Sequence, residues 1–267
     1  MNGVVLKISL ITACYNNIDT IENCLSSIKS QTYKNIEHIV IDGLSSDGTI
    51  ELLQSHKSQL AILESDHDDG IYDALNKGLE YVTGNVVGIV HADDVLVDKF
   101  SIERVVNCFD NHPEADMVIA NAYFFDPNTK KTTRFYKSSN FKPWMMRFGF
   151  MPAHTATFIK KSVFDQYGTY NKNYISAGDF DLFVRLILNH NVSYVLLDKI
   201  ITGMSMGGTS TSGFISYWRS SIEIIKSLKK NGVKSNWAFV LVRLPIKASK
   251  RMLDLLFLKL ERYGGRD

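Results

Sequence analysis

Asp93 and Asp94 stand side by side directly after an apolar run, residues 86–90. Adjacent carboxylates at the end of a buried strand repel each other and lose hydration unless a cation compensates. Hard divalent ions such as Mg2+ or Mn2+ take oxygen ligands, and one or two carboxylates commonly hold them while substrate phosphates complete the shell. The competing role is a helix cap, with Asp94 or Asp98 opening a helix over residues 99–111. A second pair, Asp179 and Asp181, opens a helix within Gly178-Asp179-Phe180-Asp181-Leu182. Spaced i and i+2, the two do not share a helix face. One can cap while the other faces a cleft, where a carboxylate beside a hydroxyl acts as a general base.

Further acidic and amide-rich stretches are Tyr15-Asn16-Asn17, Asp42-Gly43-Leu44-Ser45-Ser46-Asp47-Gly48 and Asp66-His67-Asp68-Asp69-Gly70. No glycine-rich dinucleotide fingerprint and no P-loop accompanies them.

The elements that must position these residues alternate. Apolar runs at 8–13, 36–41, 60–63, 86–90 and 116–120 read as buried strands. Helical spacing covers 21–30, 49–56, 71–82 and 100–111. Strands alternating with helices mean βαβ units and a mostly parallel sheet, in a Rossmann-like three-layer α/β/α arrangement. In such a sheet the polar loops after the first four strands share its carboxyl edge, where ligands bind. Beyond residue 120 the order changes to a mixed extension. Two strand-like pieces flank a turn at 126–129, strands are expected at 155–160 and 193–197, and a helix at 180–188. Residues 203–213 read as a Gly/Ser/Thr-rich mobile loop, followed by helices over 214–230 and 236–263.

Within the 267 residues, three cysteines without a CxxC pair argue against a disulfide framework or a cysteine-rich zinc site and for a reducing, cytoplasmic compartment. The sequence shows neither a signal peptide nor an apolar run long enough to cross a bilayer. Net charge is only +2, which gives no reason to expect nucleic acid. That total divides unevenly: residues 1–213 carry a net of −6, and residues 214–267, with 12 basic and 4 acidic side chains, a net of +8. The expected division is a catalytic domain over 1–213, with halves 1–120 and 121–213, and a basic amphipathic tail over 214–267. A basic segment bearing Trp218, Trp237, Phe239 and Phe257 suits peripheral contact with the inner face of an anionic cytoplasmic membrane. It equally suits packing on the domain or in a homodimer interface.

Six segments, in order, resemble those of the family 2 inverting glycosyltransferases of bacterial surface-polysaccharide biosynthesis. They are Ile8–Asn16, Ile39–Thr49, Asp68–Gly78, His91-Ala92-Asp93-Asp94 at the place of the DxD motif, Asp179-Phe180-Asp181-Leu182, and Gly207-Gly208-Thr209-Ser210. The resemblance implies a GT-A fold and transfer of a sugar, with inversion, from a nucleotide-diphosphate donor (a UDP-sugar) to a glycan or lipid-linked saccharide. It further implies that Thr12, Ala13, Tyr15, Asp42, Gly43 and Asp68 surround base and ribose, with Asn76 supporting that loop. Asp93 would reach ribose or metal, Asp94 would be the main ligand of Mn2+ or Mg2+, and Asp179 would be the base. His154 and Asp181 would lie on the acceptor side. Two departures stand out: His91 opens the DxD segment where Asp or Asn is common, and Gly178 precedes Asp179 where many members have Glu. The competing classes are a nucleotidyltransferase, which would want an early Gly-rich loop with Arg and Lys, and a degenerate module that only binds sugar nucleotide.

Overall fold

The structure, a computed structural model, describes residues 5–206 and 213–243. Its first half follows the alternation of the sequence. Strand β1 (Ile8–Cys14), helix α1 (Ile21–Lys29), β2 (Ile36–Asp42), α2 (Thr49–Ser55), β3 (Ile62–Ser65), α3 (Ile71–Glu80) and β4 (Val86–Ile89) come in turn. Each of these strands is parallel to its neighbour in the order β3-β2-β1-β4. β1 is buried along its whole length, as a strand covered on both faces must be. Ile11 and Ala13 enter one core with Tyr72, Leu75 and Leu79 of α3. Ile8, Leu10 and Cys14 enter the other with Ile21, Cys24 and Leu25 of α1. That division makes three layers.

The second half adds β5 (Val95–Leu96), α4 (Ser101–Asn111), β6 (Met117–Phe125), β7 (Thr132–Tyr136), β8 (Thr157–Lys160), α5 (Lys161–Tyr167), α6 (Gly178–Phe183) and β9 (Tyr194–Ser205). The sheet continues β4-β8-β6-β9-β5, with β7 beside β6. β8 runs antiparallel to both β4 and β6, while β6 and β9 are parallel. β1, β2, β3, β4, β6 and β9 therefore all point the same way. One edge of the sheet collects their carboxyl ends, and the chain entering β8 starts from that same edge. Helices α7 (Gly213–Lys230) and α8 (Trp237–Leu241) close the described part.

Several elements differ from the sequence reading. β9 runs on to Ser205 instead of ending at 197, so Gly203 lies in the ladder, paired with Val95 and Tyr123, and not in a loop. The reason is a bulge: Ala120 pairs with Leu197 but Asn121 pairs with Ile200, so Asp198 and Lys199 loop out of register. The helix expected at 180–188 starts at Gly178 and passes into a π-helical turn over Val184–Asn189. β3 is shifted two residues along, behind a 3-10 turn at Lys57–Gln59. The expectation for 207–212, including the Gly207-Gly208-Thr209-Ser210 segment, and that for the helix beyond 243 lie outside the described residues.

Candidate active site

The carboxyl edge brings the acidic segments together. Asp42, the last residue of β2, is fully buried. Its Oδ2 accepts hydrogen bonds from the Ser45 N–H at 3.1 Å and the Ser65 hydroxyl at 2.6 Å, and its Oδ1 from the Ser45 hydroxyl. One carboxylate thus ties the loop after β2 to the end of β3. Beside it, a Cβ on Gly43 would stand 2.5 Å from the Asp68 carboxylate and 3.5 Å from the Tyr15 ring. Only a glycine lets those groups approach so closely. Tyr15 is 64% exposed, so its ring offers an open face at this edge. Asp68 keeps its own loop folded by accepting the Gly70 N–H at 2.9 Å.

Thr12 does not reach this platform. It is fully buried; its hydroxyl donates to the Val90 carbonyl at 2.7 Å and meets His38 Nε2 at 2.9 Å. Strand alternation explains the difference: Thr12 shares the face of Leu10 and Cys14, which is packed under α1. Ala13 points to the opposite face, 8% exposed at the strand end. Asn76 sits in α3, and its amide exchanges two 2.9 Å hydrogen bonds with the backbone of Tyr170. It supports the chain leading into α6 and not the Asp68 loop.

The two carboxylates after β4 part company. Asp98 takes the helix-start role, accepting the Phe100 N–H at 2.8 Å. Asp93 lines a cavity of about 160 Å³ with Thr20, Asn23, Val95, Tyr123 and Ser205. Asp94 is 4% exposed and accepts the Ser205 N–H at 3.2 Å. Burial, with Asp93 beside it, pushes the Asp94 carboxyl well above the usual carboxylate range. A carboxylate carrying that penalty, next to a second one, is what a divalent cation relieves, and the all-oxygen pair suits Mg2+ or Mn2+. Among the described residues no group of three His, Cys, Asp or Glu side chains converges as a cation cage.

His91 and His154 connect this segment to Asp179. The two rings lie 5.8 Å apart, and His91 Nδ1 is buried without a hydrogen-bond partner among the described residues. His154 Nε2 meets the Tyr170 hydroxyl at 2.7 Å. Burial lowers the His154 pKa to about 3, so its ring stays neutral and belongs to the packing behind the cleft. Tyr170 stacks on Tyr72 at 5.9 Å, and the Tyr72 hydroxyl donates to Asp179 Oδ1 at 3.2 Å.

Asp179 is half-buried in the first turn of α6. Burial raises its pKa to about 6; the Phe180 N–H, at 2.8 Å, and Tyr72 partly oppose the rise by bonding the charged form. Such a carboxyl is still ionised near neutral pH but is far more basic than a free one. Gly178, the departure from Glu, has a local cause: a Cβ there would lie 2.8 Å from the Tyr72 ring. Asp181 is 1% exposed, and its carboxylate is taken up by Ser227 at 2.8 Å, Asn231 at 3.1 Å and Arg185 at 3.3 Å. It fastens α7 to α6 and does not face an acceptor, because the i, i+2 spacing turns it away from Asp179. Tyr72 went unnoticed in the sequence although it stands inside the Asp68–Gly78 segment. The basic tail held no local sign of what α7 does.

Layers, strand order and the acidic edge are those of the GT-A glycosyltransferases. A profile of the family described as Glycosyl transferase family 2 matches residues 9–175, and the chain belongs to that family. It is 28% identical over 184 residues to a PGL/p-HBAD biosynthesis glycosyltransferase of Mycobacterium tuberculosis, covering 68% of this chain and 70% of that one. It is 29% identical over 188 residues to glycosyltransferase AglE of Haloferax volcanii, covering 67% and 60%. In fold it is similar to S. aureus TarS, solved with UDP-GlcNAc, at a TM-score of 0.65 and 18% identity. That match covers 84% of this chain and 66% of the TarS chain, so this chain spans just under two thirds of that length. The mannosyltransferase PcManGT of Pyrobaculum calidifontis, solved with GDP-Man and Mn2+, matches at a TM-score of 0.64 and 15% identity over 96% of this chain and 75% of that one.

Proposed function

We propose that this chain is an inverting glycosyltransferase that moves a sugar from a UDP-sugar to a hydroxyl of a glycan or lipid-linked saccharide. The observation that carries the reading is Asp179, a half-buried carboxyl at the sheet's carboxyl edge with its pKa raised to about 6 and its aim fixed by Tyr72. Asp179 takes the proton of the acceptor hydroxyl. The acceptor oxygen bonds to the anomeric carbon from the face opposite the leaving group, and the electron pair of the broken glycosidic bond stays on the diphosphate. Tyr15, Gly43 and Asp68 receive the nucleoside, with Asp42 holding their loops. Asp93 and Asp94 would hold Mn2+ or Mg2+, which when bound neutralises charge on the diphosphate. Uridine follows the UDP-GlcNAc bound by TarS; the GDP-Man bound by PcManGT makes guanosine the competing arm of the test.

The acceptor reading extends to a surface. Trp144, Trp237 and Phe239 are exposed, Phe239 stacks on Phe148 at 4.9 Å, and Lys142, Arg147 and Lys234 are exposed close by in sequence. Aromatic and basic side chains together suit the headgroup zone of an anionic cytoplasmic membrane. Among the described residues no helix is long and apolar enough to cross one.

The test is thermal stabilisation by UDP and GDP with and without Mn2+, followed by nucleotide release from UDP-GlcNAc and GDP-mannose. UDP should stabilise more than GDP, and the shift should need the cation. Asp179→Asn should keep the shift and lose turnover by a factor of about 100 or more. Wild-type turnover in that variant would refute the assignment of the base.

A further inference from the structure

Glu223 lies in α7, a helix that composition alone assigned to the tail. Its carboxylate accepts three backbone N–H groups: Ile175 at 2.9 Å, Ser176 at 2.8 Å and Ala177 at 2.9 Å. These residues lead directly into α6, whose second residue is Asp179. The first N–H groups of a helix and its approach need partners from outside the helix. Here Ala177, at the N-cap position, makes no side-chain cap bond. The partner arrives instead from 46 residues further along the chain. Ser227 and Asn231, which hold Asp181, follow Glu223 at successive four-residue steps, Ser227 on the same face of α7 and Asn231 just past its end. One face of α7 therefore grips the chain on both sides of Asp179, at 175–177 before it and at Asp181 after it.

We propose that Glu223 is a positioning residue for the transfer reaction, fixing the backbone that aims Asp179 at the acceptor hydroxyl. This rests on Asp179 being the base. The groups facing Asp179 come from four elements: Tyr72 on α3, Tyr136 on β7, Tyr170 in the approach to α6, and Glu223 itself on α7. The tyrosines are neutral at working pH, and the Glu223 charge raises the Asp179 pKa.

Glu223→Gln keeps the shape but leaves one oxygen where two accepted. With UDP-GlcNAc as donor, kcat should fall about ten- to a hundredfold, as expected for a catalytic group displaced by about an ångström. The donor KM should stay within twofold. The acid limb of the pH profile, expected near 6 from the raised Asp179 pKa, should move down because a neighbouring negative charge is gone. Stabilisation by UDP shows that the variant is folded. Wild-type kcat in a variant that UDP stabilises overturns the proposal, and so does a loss of kcat with the acid limb unmoved. Amide exchange on the wild-type chain reads the same contact without substitution: the 175–177 amides should be protected, and unprotected rates overturn the proposal even if the variant does not fold. Asp179→Asn separates the two readings. If it retains turnover, the base assignment fails and Glu223 with it; if it is inactive while Glu223→Gln is normal, only Glu223 fails.

Discussion

Replacing Gly178 by alanine should damage catalysis while leaving donor binding intact, and the size of the effect follows from one contact. A Cβ at position 178 would stand 2.8 Å from Cδ2 and Cε2 of Tyr72 and 2.9 Å from Cδ1. Carbon atoms in contact prefer about 3.5–4.0 Å, so the ring must retreat by roughly 0.7 Å or more. The hydrogen bond from Tyr72 to Asp179 is already 3.2 Å long. Lengthened by that much it passes out of hydrogen-bonding range. Overpacking of this kind costs about 1–3 kcal/mol, offset by up to about 1 kcal/mol because alanine favours a helix over glycine. The fold should therefore survive with a modest loss of stability. Catalysis should suffer more: Asp179, the proposed base, loses the bond that aims it, and misplacement by about an ångström costs up to about a hundredfold in rate. The Tyr72 bond favours the ionised form of Asp179, so its loss should move the acid limb of the rate profile upward from about 6. That direction is opposite to the one expected for Glu223→Gln, and the two variants can be told apart by pH alone. The assay is nucleotide release from UDP-GlcNAc across pH 5–9 with UDP stabilisation as the folding control. In a Tyr72→Ala background the glycine substitution should cost little more, because the clash is gone. Full additivity of the two substitutions, or an unmoved acid limb in the single variant, would refute the reasoning.

Two further outcomes are expected. Asp181→Ala should lower the stability of the whole domain by about 3 kcal/mol, read from its denaturation midpoint, because Arg185, Ser227 and Asn231 lose a shared buried acceptor; a change below about 1 kcal/mol would show that the anchor carries no weight. Trp237→Ser combined with Phe239→Ser should reduce flotation with phosphatidylglycerol vesicles by about tenfold or more while leaving UDP stabilisation unchanged, since each aromatic contributes about 1–2 kcal/mol at an interface; equal flotation of both proteins would rule out a membrane role for that surface.

Much of this site was legible because apolar runs end where polar chemistry begins. β1, β2 and β4 come within a residue of the strands read from the sequence, and Asp42, Asp68 and Asp93 sit on the edge that their strands dictate. What a motif does not carry is the face of a strand or helix. Thr12 occupies a motif position yet points under α1, and its period-2 relation to Leu10 and Cys14 would have said so. Asp181 likewise matches a motif letter and is spent on α7. The strand expected at 193–197 stops ahead of the charged Asp198-Lys199, whereas the structure loops those two residues out and returns to the ladder at Ile200. Asp198 then accepts from the Asn121 amide at 2.8 Å, a partner no local pattern could supply. Glu223 was invisible for the same reason: its acceptor oxygens serve backbone groups 46 to 48 residues away.

The place of Gly178 and the place of Glu223 have one physical explanation. A glutamate at position 178 would set a second carboxylate beside Asp179, and here the Tyr72 ring occupies that space. Burial raises the Asp179 pKa, while the Tyr72 hydroxyl returns one hydrogen bond to the charged form. A negative charge near Asp179 comes instead from Glu223, whose carboxylate accepts the three N–H groups of the chain entering α6 and also acts on Asp179 through space. Tyr72 holds the Asp179 carboxylate through one bond, and α7 holds the backbone on either side of it. Segment charge divides the chain at residue 213, and α7, on the basic side, bonds the chain on both sides of Asp179. The +8 segment contains four acidic side chains, and one of them, Glu223, bonds the chain that leads into α6 and Asp179, the proposed base. Arg243, buried against Tyr217 and Ser221 at 3.0 and 2.7 Å, locks the far end of α7 in turn. A substitution that loosens α7 should for that reason appear first as lost turnover, before any loss of nucleotide affinity, because Tyr15, Gly43 and Asp68, proposed to receive the nucleoside, stand on loops held by Asp42 and by one another and not, among the described residues, by α7.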